Sequence, residues 1–162
     1  ITDYSVQWFP LQIDEAIDVL YIELEIAGLT HTAPMDLNIF LLDPFGTGIE
    51  IMDDRGDGVN FDGTLFFRDP NEGKPLPDDP DPLVDGAVYA PELPGNNNTK
   101  NPGFGNYTMT GDEEWRLVII DDSSGDMGSF ESFTIRGLLV PEPASLSLLA
   151  IGACALLRRR KA

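Results

Sequence analysis

The chain has 162 residues, with 28 acidic against 10 basic side chains and a formal charge of -18. A surface this acidic repels nucleic acid and anionic lipid, and attracts cations, calcium above all. The single cysteine, Cys154, lies near the end of the chain, so the residues before it hold neither a disulfide nor a thiolate metal site.

The chain opens on Ile1 with no apolar leader, which points to a removed signal peptide or to sequence upstream. In DVLYIELEI, Leu20, Ile22, Leu24 and Ile26 alternate with Val19, Tyr21, Glu23 and Glu25. Period two predicts a strand with one buried face. DLNIFLLDP sets Leu37, Ile39 and Leu41 on one face and ends at Asp43-Pro44, before the turn residues Gly46 and Gly48. GIEIMD and TLFFRD read as two further short strands. From Pro70 to Asn106 the alternation stops. Pro, Gly, Asn and Asp dominate there, and only AVYA looks able to pair with a sheet. Too few strands follow for a second core, so this stretch reads as a long loop within one domain.

EWRLVIID places Trp115, Leu117 and Ile119 on one face and Val118 and Ile120 on the other. Apolar on both sides, it is expected to be central in its sheet. FESFTIRG closes the set with Phe133 and Ile135 inward. Many short strands joined by Gly, Pro and Asp turns predict an all-β domain over residues 1–138, an antiparallel sandwich or jelly roll.

The last stretch, VPEPASLSLLAIGACALLRRRKA, has three parts: Pro141-Glu142-Pro143, an apolar run over 144–157, and Arg158, Arg159, Arg160 and Lys161. The run predicts a short hydrophobic helix of about 21 Å, against a bilayer core of about 30 Å. It is short for a permanent span. The basic cluster is expected on the cytoplasmic side, and the two prolines keep the segment before the helix extended. The tail holds four of the ten basic residues and one of the 28 acidic ones, which leaves 27 acidic against 6 basic in the body.

These three parts, in this order over residues 139–162, closely resemble the PEP-CTERM sorting signal of Gram-negative and related bacteria. The resemblance implies recognition by an exosortase, a membrane transpeptidase, with processing near Pro141, Glu142 and Pro143. It implies an exported protein at the cell surface or outside the cell, often beside exopolysaccharide, held in the membrane through 144–157 only until it is processed.

The body also resembles a known family. The residues that carry the likeness are His31-Thr32, Asp36-Leu37, Pro44 and Gly46-Thr47 in the first half. In the second half they are Trp115, Leu117, Asp121, Gly125-Asp126, Gly128 and Phe133. Together they are similar to the P domain (P/Homo B domain) that follows the catalytic domain of kexin- and furin-like proprotein convertases. The likeness implies a jelly-roll sandwich that is not catalytic and that binds or stabilises a partner. It also leaves an alternative: the C-terminal part of a secreted subtilisin-like protease whose catalytic domain lies upstream.

Calcium is the cofactor the residues suggest. DDRGDGVNFDG offers Asp53, Asp54, Asp57, Asn60 and Asp62 in one Gly-rich loop, and DDSSGDMG offers Asp121, Asp122 and Asp126 at a turn. Calcium takes six to eight oxygen ligands from a chain able to curl around it. PDDPDPLVDG adds Asp78, Asp79, Asp81 and Asp85, but Pro80 and Pro82 stiffen it. Against these stands the common use of Asp as a turn residue that bonds its own backbone.

No catalytic residue is nominated. His31 is the only histidine and no Gly-x-Ser-x-Gly elbow is present. Glu113 and Glu114 are adjacent, so in a strand they face opposite sides and cannot act as a glycosidase pair. Asn97-Asn98-Thr99 and Asn106-Tyr107-Thr108 match the N-glycosylation pattern, read as chance in an Asn-rich loop. A carbohydrate-binding module is the remaining alternative. It would need exposed aromatics on one face, and Phe66, Phe67, Tyr89, Phe104 and Tyr107 are the candidates.

Overall fold

The computed structural model describes residues 1–13, 16–68, 73–92, 105–110 and 113–139, with the backbone alone at 16–21, 105–110, 138 and 139. The tail, including the expected helix over 144–157, lies outside the described residues, as do Asn97 and Phe104. No described helix is long and apolar enough to cross a membrane.

Among the described residues ten strands follow one another: β1 (Ser5–Ile13), β2 (Ala16–His31), β3 (Leu37–Leu42), β4 (Gly48–Asp53), β5 (Phe61–Phe67), β6 (Val88–Tyr89), β7 (Gly105–Thr110), β8 (Glu113–Asp121), β9 (Gly128–Ser129) and β10 (Ser132–Leu139). A 3-10 turn, Pro34–Asp36, stands between β2 and β3. The strands make two sheets. One has the order β1-β8-β3-β4. The other has the order β10-β2-β5-β6, with β7 and β9 also paired to β2. All pairings between strands are antiparallel except the short one between β5 and β6.

β1 and β8 pair from Ser5↔Asp121 to Ile13↔Glu113. Beyond the corner the same register resumes in the other sheet, from Ala16↔Thr110 to Tyr21↔Gly105. One antiparallel ribbon therefore passes from sheet to sheet, and this is what closes the sandwich at that end. At 16 residues β2 is long enough to take two partners on each edge.

The core forms where the period-two residues of the two sheets meet. Ile22, Leu24 and Ile26 of β2 face Leu37, Ile39 and Leu41 of β3, and all six have no exposed surface. Trp115, Leu117 and Ile119 on β8 join them, and β8 is central in its sheet, between β1 and β3. Phe9 of β1 meets Phe130 edge to face, centroids 4.6 Å apart, and closes one flank. The β3–β4 turn is set by Asp43, whose Oδ1 accepts N–H bonds from Phe45 at 2.9 Å and Thr47 at 2.7 Å. Gly46 there has φ +80°, which suits glycine.

The described part of the long loop is packed, not loose. Leu83 and Tyr89 are buried, β6 pairs in parallel with β5, and the Tyr89 hydroxyl accepts from Val84 N–H at 3.0 Å. Arg55 binds both Asp78 and Glu92 and so pins the loop to the β4–β5 turn. Of the other aspartates there, Asp85 accepts the Thr64 N–H at 2.8 Å.

A polar contact joins the sheets inside the core. His31, at the end of β2, places Nε2 3.3 Å from Asp121 Oδ2, at the end of β8. Both side chains are fully buried. The carboxylate accepts, so Nε2 carries the hydrogen. Nδ1 lies 2.9 Å from the Ala33 carbonyl and 3.3 Å from the Ala33 N–H. Ala33 thus offers an acceptor and a donor to the same nitrogen. Replacing Asp121 by Ala strips His31 and the Ser123 N–H of their shared acceptor in a buried site. The expected loss is about 2 kcal/mol, read as a lower urea midpoint at unchanged slope. Gly128 packs directly against this pair. A Cβ there would sit 2.2 Å from Thr30 O and 2.4 Å from the His31 ring. Gly128→Ala is expected to cost about 2 kcal/mol in the same measurement, and an unchanged midpoint would show that the strands do not approach this closely.

Candidate functional site

The end of the sandwich that carries His31 and Asp121 also gathers most of the candidate ligands. The turn after β8 runs back beside the turn after β2. Thr32 Oγ1 donates to Asp126 Oδ1 at 3.0 Å and accepts from Met127 N–H at 3.0 Å, while Thr32 N–H donates to Met127 O at 3.2 Å. Asp3 closes the far side of that turn, accepting from the N–H groups of Gly125 and Asp126 at 3.0 and 3.1 Å.

Asp36, at the end of the 3-10 turn, sits among Asp126, Asp122 and Asp121. Its carboxyl is raised above the usual value of 3.8, first by burial, then by a hydrogen bond to Asp126 and by the charges of the three neighbours. Asp54 is raised as well, first by burial, then by Asp122 and Asp53; a hydrogen bond from Asn38 opposes this. Asn38 Nδ2 reaches Asp54 Oδ1 at 3.1 Å and Asp122 Oδ2 at 3.5 Å, one amide between two carboxylates. Asp54 holds φ +51°, a left-handed backbone that aspartate tolerates better than most residues.

The residues of the first candidate loop part company. Asp54 turns toward Asp122 and the acidic end, while Asp53 stands beside Asp54 and Glu50. Asp57 is buried and bonds its own turn, accepting from Val59 N–H at 3.2 Å. Asn60 and Asp62 line a cavity of about 630 Å³ beside His31, with Thr30, Thr32 and Ser129. No single curl brings the five together. The second candidate set splits too: Asp121 is committed to His31, while Asp122 and Asp126 face Asp36. Among the described residues no three His, Cys, Asp or Glu side chains stand close enough, as placed, to hold a metal ion. Sequence spacing missed Asp36 and Asn38. They come from another turn and another strand, and only the register of β3 with β8, which sets Leu37 opposite Asp121, brings them to this end.

The cavity beside His31 offers hydroxyl, amide and carboxylate groups but no free ring nitrogen, since both nitrogens of His31 are bonded within the protein. Glu113 is buried and Glu114 exposed, on opposite faces of β8. Of the aromatics named above, Phe67 and Tyr89 lie in the core with centroids 6.4 Å apart. The sorting residues Pro141, Glu142, Pro143, Arg158, Arg159 and Arg160 lie outside the described residues.

Comparison with known proteins places one part of the chain. No curated protein matches it. Residues 139–161 match the PEP-CTERM protein-sorting motif, a signal that marks exported proteins for an exosortase, with transient anchoring in the membrane.

Proposed function

We propose that residues 1–138 form a non-catalytic surface module of the P-domain type, stabilised by calcium and delivered to the cell surface by its exosortase-directed tail. The supporting observation is that the two halves of the P-domain-like signature meet. His31-Thr32 from the first half bond Asp121 and Asp126 from the second, and Gly128 packs against His31. Residues 90 or more apart in sequence are joined at the very positions that carry the likeness. The reading is non-catalytic because the single histidine is committed to Asp121 and Ala33.

Calcium enters through the acidic end. Asp36 and Asp54 stand with raised values, first because they are buried and then because neighbouring carboxylates crowd them, Asp126, Asp122 and Asp121 around Asp36 and Asp122 and Asp53 around Asp54. A calcium ion would draw the carboxylates of Asp36, Asp122 and Asp126 together by side-chain rotation, with Asn38 and backbone oxygens completing the shell.

This predicts a specific pH and calcium dependence. The folded values of Asp36 and Asp54 lie above the unfolded value of 3.8. Their ionisation therefore costs stability: nothing below 3.8, more as pH rises through the folded values, and in full at neutral pH. Without calcium, acidifying from pH 7 into that window should relieve this cost. Asp36→Asn should raise the neutral-pH Tm. At a hundredfold over its Kd, calcium should add about 2.7 kcal/mol at pH 7, less in the acid window, and less to Asp36→Asn. An equal calcium increment in wild type and variant would remove the site from this end.

The delivery half is tested by the intact mass of the protein from its own host, with both terminal peptides mapped. The expected product ends near Pro141 and lacks Arg158, Arg159 and Arg160. Retention of the arginines would make the tail an anchor. A catalytic domain's length of sequence before Ile1 would favour the protease alternative.

A further inference from the structure

The two outer faces of the sandwich differ in kind. On the larger sheet the outward row is ionic: Glu23 binds Arg68 and Arg136, and Arg136 also binds Glu25. On the four-stranded sheet most of the outward residues of β1, β8 and β3 are apolar. The register aligns Val6, Ile120 and Asn38 in one row, Trp8, Val118 and Phe40 in the next, and Pro10, Arg116 and Leu42 in the third. Trp8 is 54 % exposed and Val6 52 %. An ion-paired face is at rest in water, whereas an exposed indole in an apolar row is a binding surface without its partner.

Charge decides what that partner is. The single cation of the rows, Arg116, is neutralised by Glu114 at 2.6 Å, so the three rows themselves carry no net charge, while Glu50 and Asp53 on the bordering β4 are acidic like the rest of the body. An anionic polymer or lipid is repelled by the body, and a cationic partner is drawn to the acidic end instead. A second copy would bring the same negative charge. The rows also cover only roughly 300 Å², against about 800 Å² per partner in a standard interface. A neutral polysaccharide meets none of these objections. Its sugar rings have an apolar C–H face that stacks on aromatic planes, and its hydroxyls bond amides and carboxylates. Trp8 and Phe40 both flank Val118, so they stand about 10 Å apart across β8, a span that two linked pyranose rings cover. Gln12, Asn38 and Glu50 border the rows and supply polar partners.

We propose that the outer face of the β1-β8-β3-β4 sheet binds a neutral polysaccharide chain, with Trp8 and Phe40 as its stacking platforms. The proposal rests on the surface-module reading, but not on calcium or on processing. It is therefore tested on the purified full chain in EDTA, by its retardation in native gels cast with neutral β-glucan, xylan or mannan and with alginate as the anionic control. At least one neutral polymer is expected to retard the chain and alginate is not. Trp8→Ala should weaken retardation roughly five- to tenfold, the loss of one stacking plane, while the variant still unfolds cooperatively, since Trp8 lies on the outer face with about half of its surface already in water. Phe40→Leu, which keeps the apolar volume, should weaken it as well. No retardation by any neutral polymer would overturn the proposal, as would Trp8→Ala binding like wild type. So would light scattering that shows a dimer which Trp8→Ala dissolves, since the face would then be a self-interface.

Discussion

The hydrogen bond between His31 and Asp121 ties the two sheets to each other at one end, and the acidic cluster is arranged around it. Apolar packing alone lets two sheets slide and rotate; a buried donor and acceptor must meet or both are stranded. His31 ends β2 and Asp121 ends β8, so their meeting fixes where both following turns begin. From His31 the chain passes Thr32 and Ala33 to Asp36. From Asp121 it passes Asp122 to Asp126. The two turns then bond through Thr32 and Asp126. The pair contributes less to net stability than to uniqueness, because removing two polar groups from water costs much of what their bond returns. Gly128 belongs to the same constraint: a strand that must lie against the His31 ring leaves no room for a Cβ.

Much of this architecture was legible in the residues. The alternation of Leu37, Ile39 and Leu41 is the buried face of β3, and EWRLVIID is central because both its faces are apolar. Asp43 and Gly46 mark their turn by chemistry that acts within five residues. β1 was not legible. SVQWFPLQI carries apolar residues on both faces and a proline, which reads as no strand until its edge position and its register with β8 explain both. The same strand holds Trp8, so the aromatic face was hidden with it; of the five aromatics that did stand out, Phe67 and Tyr89 belong to the core, Phe66 is half-buried, and the side chains of Phe104 and Tyr107 lie outside the described residues.

The acidic loop failed as a unit for a related reason. Spacing along a chain says which carboxylates are neighbours in sequence, whereas a β-sandwich joins ends of strands that are far apart in it. Asp54 meets Asp122 through Asn38, and Asp36 meets Asp126; each contact crosses from one turn to another. Asp57 illustrates the competing use of the same residue type, turned to its own backbone and buried.

The direction of the chain relates the acidic end to the sorting motif. β10 leaves the sandwich at Leu139, paired with Val19 near the start of β2, whereas the acidic end lies at His31, at its finish. Twelve residues of strand separate the two, roughly 40 Å. A chain held at residue 139 therefore turns its corner toward the point of attachment and its carboxylates away from it. The apolar sheet face runs along the side between them and meets the acidic end at Asn38, which stands in its first row and bonds Asp54 and Asp122. Leu139 beside one end of β2 and the acidic cluster at its other end are kept apart by the length of one strand, with the apolar rows on the side between them.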